Sequence, residues 1–128
     1  MAEVSLKRIL VVDDDPLITK SLGSVLESDG YSVTVASDGR AAIDAFQKAI
    51  QENLPFALVI TDLGMHGIDG RQVVTEIKNS SPATPVILLT GWGQWFEAKN
   101  EVPLQVNCIL AKPPSLVDLR RALAQCLV

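Results

Sequence analysis

Side chains able to do chemistry stand at four places in this sequence, each beside the end of an apolar run. They are the aspartates of Asp13–Asp15, Asp62, Thr90 and Lys112. Each alone has an ordinary structural role, because an aspartate often caps a helix, a threonine often ends a strand, and a lysine often lies at the rim of a sheet. Their repeated placement predicts that they meet at one edge of a folded sheet.

Such a cluster favours phosphoryl chemistry assisted by a divalent cation. Two carboxylates about 4 Å apart repel by roughly 4 kcal/mol at an effective dielectric near 20, so the acids need positive charge beyond that of Lys112. An all-oxygen site with room for water suits Mg²⁺, and the single histidine, His66, leaves little for a zinc site. A carboxylate beside Mg²⁺ can attack a phosphoryl group, while Lys112 and the Thr90 hydroxyl contact phosphoryl oxygens.

Apolar runs of strand length recur through the whole chain. Four are nearly continuous, which is typical of strands covered on both faces of a parallel sheet, and the second alternates as an edge strand does. The five predicted strands are Ile9–Val12, Tyr31–Val35, Phe56–Ile60, Val86–Leu89 and Val106–Ala111.

Helical segments follow the strands. The first has Asp15 as a predicted N-cap and Pro16 at its first helical position. The segment from Gly91 to Pro103 predicts at most a short or irregular helix. The other helices are predicted after Asp38, over Val73–Ile77 before Pro82, and from Ser115.

The alternation of strand and helix predicts a doubly wound α/β fold. Such folds bind ligands at the carboxyl ends of their strands, which is where the acidic, hydroxyl and amino groups fall.

Composition narrows the possible functions. The 128 residues predict one domain, residues 1–128, without a second module, and a net charge of −4 leaves no broad basic face for direct nucleic-acid binding. The short N-terminal apolar run predicts neither a signal peptide nor a membrane span, so a cytoplasmic location is expected. Cys108 and Cys126 are predicted to be buried thiols.

Four segments together resemble the response-regulator receiver family of two-component signalling: ILVVDDDP, LVITDLGMHGIDG, VILLTGW and ILAKPP. The resemblance covers essentially the whole chain. It implies a (βα)5 flavodoxin-like fold with a five-stranded parallel sheet in the order 2-1-3-4-5. It also implies a regulatory phosphoacceptor rather than an enzyme, with a histidine kinase or histidine phosphotransfer protein as donor and a downstream protein as target.

The resemblance assigns roles residue by residue. Asp62 would be the phosphoacceptor, Thr90 the hydroxyl switch residue, and Lys112 the phosphate-contacting lysine, joined to Pro113 by a cis bond. The implied Mg²⁺ ligands are Asp13, Asp14, Asp62 and the backbone carbonyl of Gly64.

The sequence departs from the family pattern around the predicted site. His66 stands where proline is usual, and the glycines at 64, 67 and 70 predict a freer loop after Asp62. Ile109 replaces a frequent aromatic residue, so an aromatic switch is not expected there.

The aromatic cluster after Thr90 allows two interpretations. Trp92, Trp95 and Phe96 either fill the core or form an exposed contact surface. Because Gly64 cannot orient water and Trp92 can shield a phosphoryl group, slow autodephosphorylation is expected.

Two alternatives remain open at this stage. An aspartate-nucleophile phosphatase of the haloacid dehalogenase class shares the Asp-x-Asp spacing, but it needs a further acidic pair after Lys112, where only Asp118 occurs. The second alternative is a receiver-like binding module that is never phosphorylated. Flavin binding is disfavoured, because three aspartates would repel the flavin phosphate.

Overall fold

A five-stranded parallel sheet forms the centre of the molecule. The computed structural model describes residues 6–64, 69–91 and 106–127. Its strand order is β2-β1-β3-β4-β5, which confirms the predicted order and the doubly wound class. The strands are β1 (Arg8–Val12), β2 (Ser32–Ala36), β3 (Leu58–Asp62), β4 (Val86–Thr90) and β5 (Cys108–Ala111).

Four helices lie in the described part of the chain, and their first residues follow polar caps. Asp15 Oδ1 accepts from Leu17 N at 2.9 Å, and Asp38 Oδ1 accepts from Ala41 N at 2.8 Å, as the sequence predicts. The predicted segment between Gly91 and Pro103 lies largely outside the described residues. The helices are α1 (Pro16–Ser28), α2 (Gly39–Gln51), α3 (Gly70–Ser80) and α4 (Leu116–Cys126).

Apolar side chains fill both faces of the sheet. Leu10 and Val12 of β1 pack into a cluster with residues of α2 and α3. Ile9 and Val11 point to the opposite face, where α1 and α4 cover them. Successive residues of a strand point to opposite sides, so continuous apolar runs in the central strands β1, β3 and β4 supply both clusters.

Three expectations about burial and boundaries need correction. β5 is only partly buried, because it lies at an edge of the sheet, although its apolar sequence predicted cover on both faces. Cys108 and Cys126 are likewise partly exposed rather than buried. Phe56 precedes β3 instead of beginning it, yet it is buried and stacks on Phe46 at 6.3 Å between ring centroids.

Nothing in the described ranges is a helix with the length and apolar character needed to cross a membrane.

Candidate functional site

The carboxyl ends of four strands bring the predicted site residues to one edge of the sheet. Asp13 directly follows β1, and Lys112 directly follows β5. Asp62 and Thr90 are the last residues of β3 and β4, so each belongs to its strand rather than following it. The strand register aligns these ends, since Asp62 lies beside Leu89 and Thr90 lies beside Ala111.

Three carboxylates converge at this edge. Asp13, Asp14 and Asp62 each offer an oxygen, and these atoms all lie within 4.8 Å of one another. Asp13 and Asp62 are almost completely buried, with 1% and 2% of their surface exposed, whereas Asp14 is exposed. The cluster therefore opens to solvent on the side of Asp14, and a ligand can reach it there.

The ammonium group of Lys112 contacts the two buried carboxylates. Its Nζ lies 3.0 Å from Asp13 Oδ2 and 3.3 Å from Asp62 Oδ1. Both contacts are ion pairs, and the two carboxylate oxygens have no other hydrogen-bond partner among the described residues. Among the described residues, one positive charge thus faces three negative charges, which leaves a local excess of negative charge.

The pKa values of the site residues reflect this imbalance. Burial and then the negative charge of Asp13 raise the pKa of Asp62, and the nearby Lys112 offsets this only in part. Burial acts to lower the pKa of Lys112, but the contacts with Asp13 and Asp62 outweigh it and raise that pKa. Lys112 therefore stays charged, while the raised pKa of Asp62 makes its ionised form less favourable than in a solvent-exposed carboxyl.

Backbone contacts fix the position of Asp13. Its Oδ1 accepts from Asp15 N at 2.9 Å, and its own N–H donates to Ala36 O at 3.2 Å. The side chain of Asp15 caps α1 and is not part of the carboxylate cluster, as the sequence predicts.

Thr90 contributes a buried hydroxyl to the same edge. The residue has no exposed surface, and within the described ranges its Oγ1 has no hydrogen-bond partner. A buried polar group left unpaired costs roughly 1–3 kcal/mol, so this hydroxyl would gain from a ligand oxygen.

The connection between β3 and α3 is described only at its two ends. Gly64 is exposed, and residues 65–68, including His66 and Gly67, lie outside the described residues. The expectation that Gly70 loosens this connection is wrong, because Gly70 is buried at the start of α3 against the main chain of Asp62 and Leu63.

Sequence reasoning missed one contact to the predicted acceptor. The buried Thr61 donates its hydroxyl hydrogen to Asp62 O at 3.1 Å. In the sequence Thr61 is a single polar residue within an apolar strand, a position that gives no signal of this contact.

Other predictions around the site have mixed outcomes. The Lys112–Pro113 bond is cis, as the resemblance implied. Trp92, Trp95 and Phe96 lie outside the described residues, so their role stays a prediction. Asp118 is an exposed residue of α4 and is not part of the carboxylate cluster, which disfavours the haloacid dehalogenase alternative.

Sequence comparison finds the same family across most of the chain. The model of the response regulator receiver domain matches residues 9–124. The transcriptional regulatory protein GlrR of Escherichia coli is 38% identical over 105 residues, which cover 82% of this chain and 22% of GlrR. The chain thus spans about a fifth of the length of that relative.

Solved structures of response-regulator receiver proteins are highly similar to this chain. A response regulator receiver domain protein from Clostridium thermocellum has a TM-score of 0.86 at 31% identity, over 95% of this chain and 94% of that chain. The response regulator TrrA from Thermotoga maritima, solved in complex with Mg²⁺ and BeF, has a TM-score of 0.82 at 29% identity, over 95% and 100% of the two chains. Together with the acidic cluster, which is typical of a receiver phosphorylation site, these matches establish that the chain belongs to the response-regulator receiver family, the phosphoacceptor signalling domains of two-component systems.

Proposed function

We propose that Asp62 is the phosphoacceptor of this domain and that it works with Mg²⁺, Thr90 and Lys112. The observation that carries the proposal is the convergence of three carboxylates within 4.8 Å, two of them buried against the ammonium group of Lys112. We assign the acceptor role to Asp62 because it ends the central strand β3 and its buried carboxylate lies 3.3 Å from Lys112 Nζ, within the cluster.

The donor set fits Mg²⁺. Hard oxygen ligands and one solvent-facing side suit this ion, which keeps several waters and binds through few carboxylates. The proposed ligands are the carboxylates of Asp13, Asp14 and Asp62 and the backbone carbonyl of Gly64. When bound, Mg²⁺ would neutralise the acids and hold phosphoryl oxygens.

Asp62 would react as a nucleophile. One carboxylate oxygen attacks the phosphorus of the donor, a P–O bond forms, and the bond from phosphorus to the donor breaks. The leaving group departs with the electron pair of that bond. The product is an acyl phosphate on Asp62, and its proximity to Lys112 supplies charge for the new phosphoryl oxygens.

The protein's own residues would then hold the phosphoryl group. Lys112 already contacts Asp62 and can exchange part of that ion pair for a phosphoryl oxygen. The unpaired Thr90 Oγ1 can donate to another phosphoryl oxygen and thereby draw the end of β4 towards the site. This movement would shift a pre-existing equilibrium at the end of β4, so the domain acts as a regulatory switch rather than as an enzyme.

The donor and the target follow from the same proposal. A phosphohistidine of a histidine kinase or a histidine phosphotransfer protein would supply the phosphoryl group, and a downstream protein would read the changed surface. A net charge of −4 supports protein partners over direct nucleic-acid binding. The cytoplasmic location and the single-domain extent over residues 1–128 stay predictions.

Intact-protein mass spectrometry tests the proposal. The protein is incubated with Mg²⁺ and acetyl phosphate, beside Asp62→Asn and a chelated sample. We expect one added phosphoryl group on the wild type and none on Asp62→Asn or in the chelated sample. Asp15→Asn is the matched control, since it removes a neighbouring charge outside the cluster and asparagine caps helices as well as aspartate does. Equal phosphorylation of Asp62→Asn would refute the assignment.

A further inference from the structure

The first residue of α3 packs directly on the main chain of the proposed acceptor. Gly70 N donates to Leu63 O at 2.9 Å. A Cβ atom placed on Gly70 would lie 2.2 Å from Asp62 O, 2.8 Å from Leu63 Cα and 3.0 Å from Asp62 C. These are main-chain atoms, which cannot rotate away, so at least 0.8 Å of movement is needed to bring the shortest contact from 2.2 to 3.0 Å.

The main chain around Asp62 is also held by other contacts. Thr61 Oγ1 donates to Asp62 O at 3.1 Å, and Leu63 N donates to Leu89 O at 3.0 Å. The same carbonyl that lies against Gly70 therefore has a buried hydrogen bond, and the next residue is tied to β4. The peptide cannot move away from α3 without weakening these bonds.

The start of α3 is itself held in place. Asp69 and Gln72 form a reciprocal capping box, in which Gln72 N donates to Asp69 Oδ1 at 3.1 Å and Asp69 N donates to Gln72 Oε1 at 3.3 Å. Val73 and Val74 of the next turn are buried in the core. A side chain at position 70 would thus force apart the end of β3 and the start of α3. Because both segments are held by hydrogen bonds or packing, part of the movement must fall on Asp62.

We propose that Gly70 and the Thr61 hydroxyl are positioning residues for phosphoryl transfer. Together they fix the position of the main-chain carbonyl of Asp62. They thereby also fix the positions of the Asp62 carboxylate and of the backbone that leads to Gly64. The inference rests on the proposed role of Asp62. Because misplacing reacting groups by about 1 Å can slow a reaction by roughly 100-fold, the absence of a Cβ at position 70 is a requirement of the reaction as well as of packing.

Kinetics of phosphorylation by acetyl phosphate at saturating Mg²⁺ test this inference. For Gly70→Ala we expect the maximal rate per folded molecule to fall about 10–100-fold, while the half-saturating acetyl phosphate concentration changes less than about 3-fold. Backbone amide NMR signals of Leu63 and Gly64 should move in the same variant.

Two control variants separate positioning from general destabilisation. In Gly23→Ala, within α1, the added Cβ would lie 3.8 Å from Val33 Cγ1, an ordinary van der Waals contact, so the rate should match the wild type. Val73→Ala weakens the packing of α3 without placing an atom near Asp62, so it should lower thermal stability but leave the rate within about 3-fold of the wild type. A merely structural role of Gly70 would make Gly70→Ala behave like Val73→Ala.

A second test variant keeps the inference falsifiable if Gly70→Ala does not fold. Thr61→Val preserves side-chain volume and removes the hydrogen bond to Asp62 O, and we expect a several-fold lower maximal rate. Wild-type rates in folded Gly70→Ala or in Thr61→Val would overturn the inference and leave the proposed function standing. A wild-type protein that takes no phosphoryl group would overturn the proposed function itself, and this inference with it.

Discussion

Removing the charge of Asp62 should stabilise the Mg²⁺-free protein. The carboxylates of Asp62 and Asp13 lie within 4.8 Å, which corresponds to a repulsion of about 3.5 kcal/mol or more at an effective dielectric of 20. The ion pair with Lys112 at 3.3 Å contributes about 5 kcal/mol of attraction on the same scale. The attraction exceeds the repulsion by about 1.5 kcal/mol at most, which is less than the cost of burying the charge, so burial decides the sign.

Burial acts against the charged form of Asp62. The side chain is 2% exposed, and an ion buried to this extent loses hydration worth several kcal/mol. The exposed Asp14 adds a screened repulsion. We therefore expect Asp62→Asn to raise the free energy of unfolding by about 1–3 kcal/mol at neutral pH without Mg²⁺.

The raised pKa of Asp62 sets the pH dependence of this gain. Below the ordinary pKa of 3.8 the carboxyl is protonated in both the folded and the unfolded chain, so the wild type and the variant should have similar stability. As pH rises above 3.8 the unfolded chain loses the proton first, and the stability of the wild type falls. The advantage of Asp62→Asn should be complete above the raised pKa.

Urea denaturation with chelator and with Mg²⁺ measures these effects. Mg²⁺ at 100 times its dissociation constant should stabilise the wild type by about 2.7 kcal/mol, and most of that gain should vanish in Asp62→Asn. Asp15→Asn, the matched control, should differ from the wild type by less than about 0.5 kcal/mol and keep the Mg²⁺ response. A less stable Asp62→Asn in chelator, or an undiminished response to Mg²⁺, would refute the reasoning.

Three further predictions concern neighbouring contacts. Lys112→Met should lower the free energy of unfolding by about 1–3 kcal/mol, measured in urea with chelator, because it leaves two buried carboxylates without their cation. Mg²⁺ should restore part of this loss. A free energy of unfolding equal to that of the wild type would contradict the ion pairing. Thr90→Val should change the free energy of unfolding by no more than about 1 kcal/mol, and the variant should still accept a phosphoryl group. The NMR shift changes that phosphorylation causes around Gly91 in the wild type should be smaller in this variant. Changes as large as those of the wild type would rule out the Thr90 hydroxyl as the switch. Arg120 donates to both oxygens of Asp29 at 3.0 Å, and this contact lowers the pKa of Asp29. Arg120→Gln should therefore reduce the free energy of unfolding at pH 7, and the difference from the wild type should fade as pH drops below 3.8. A difference that does not depend on pH would show that the ion pair is not its cause.

Much of the fold was predictable, because apolar runs and helix caps leave direct marks in a sequence. Asp15 and Asp38 cap helices as predicted, and the alternating second strand lies at the edge of the sheet. The partial exposure of β5 could not be predicted from its apolar sequence alone, although the strand order implied by the family resemblance placed this strand at an edge.

The site, like the fold, was only partly predictable from the sequence. Asp13, Asp62 and Lys112 could be placed together because the carboxyl ends of parallel strands share one edge. The contact between Gly70 and the main chain of Asp62 could not, because a glycine in sequence indicates freedom or close packing equally well and only the crossing of α3 over β3 decides.

Chemical localisation of the phosphoryl group tests the central claim most directly. Phosphorylated protein is reduced with borohydride, which converts an aspartyl phosphate to homoserine, and the peptides are sequenced by mass spectrometry. We expect homoserine at position 62, dependent on Mg²⁺ and acetyl phosphate, with Asp13 and Asp14 unmodified. Homoserine at position 13 or 14, or a stable phosphate on Thr90 in place of an acyl phosphate, would contradict it.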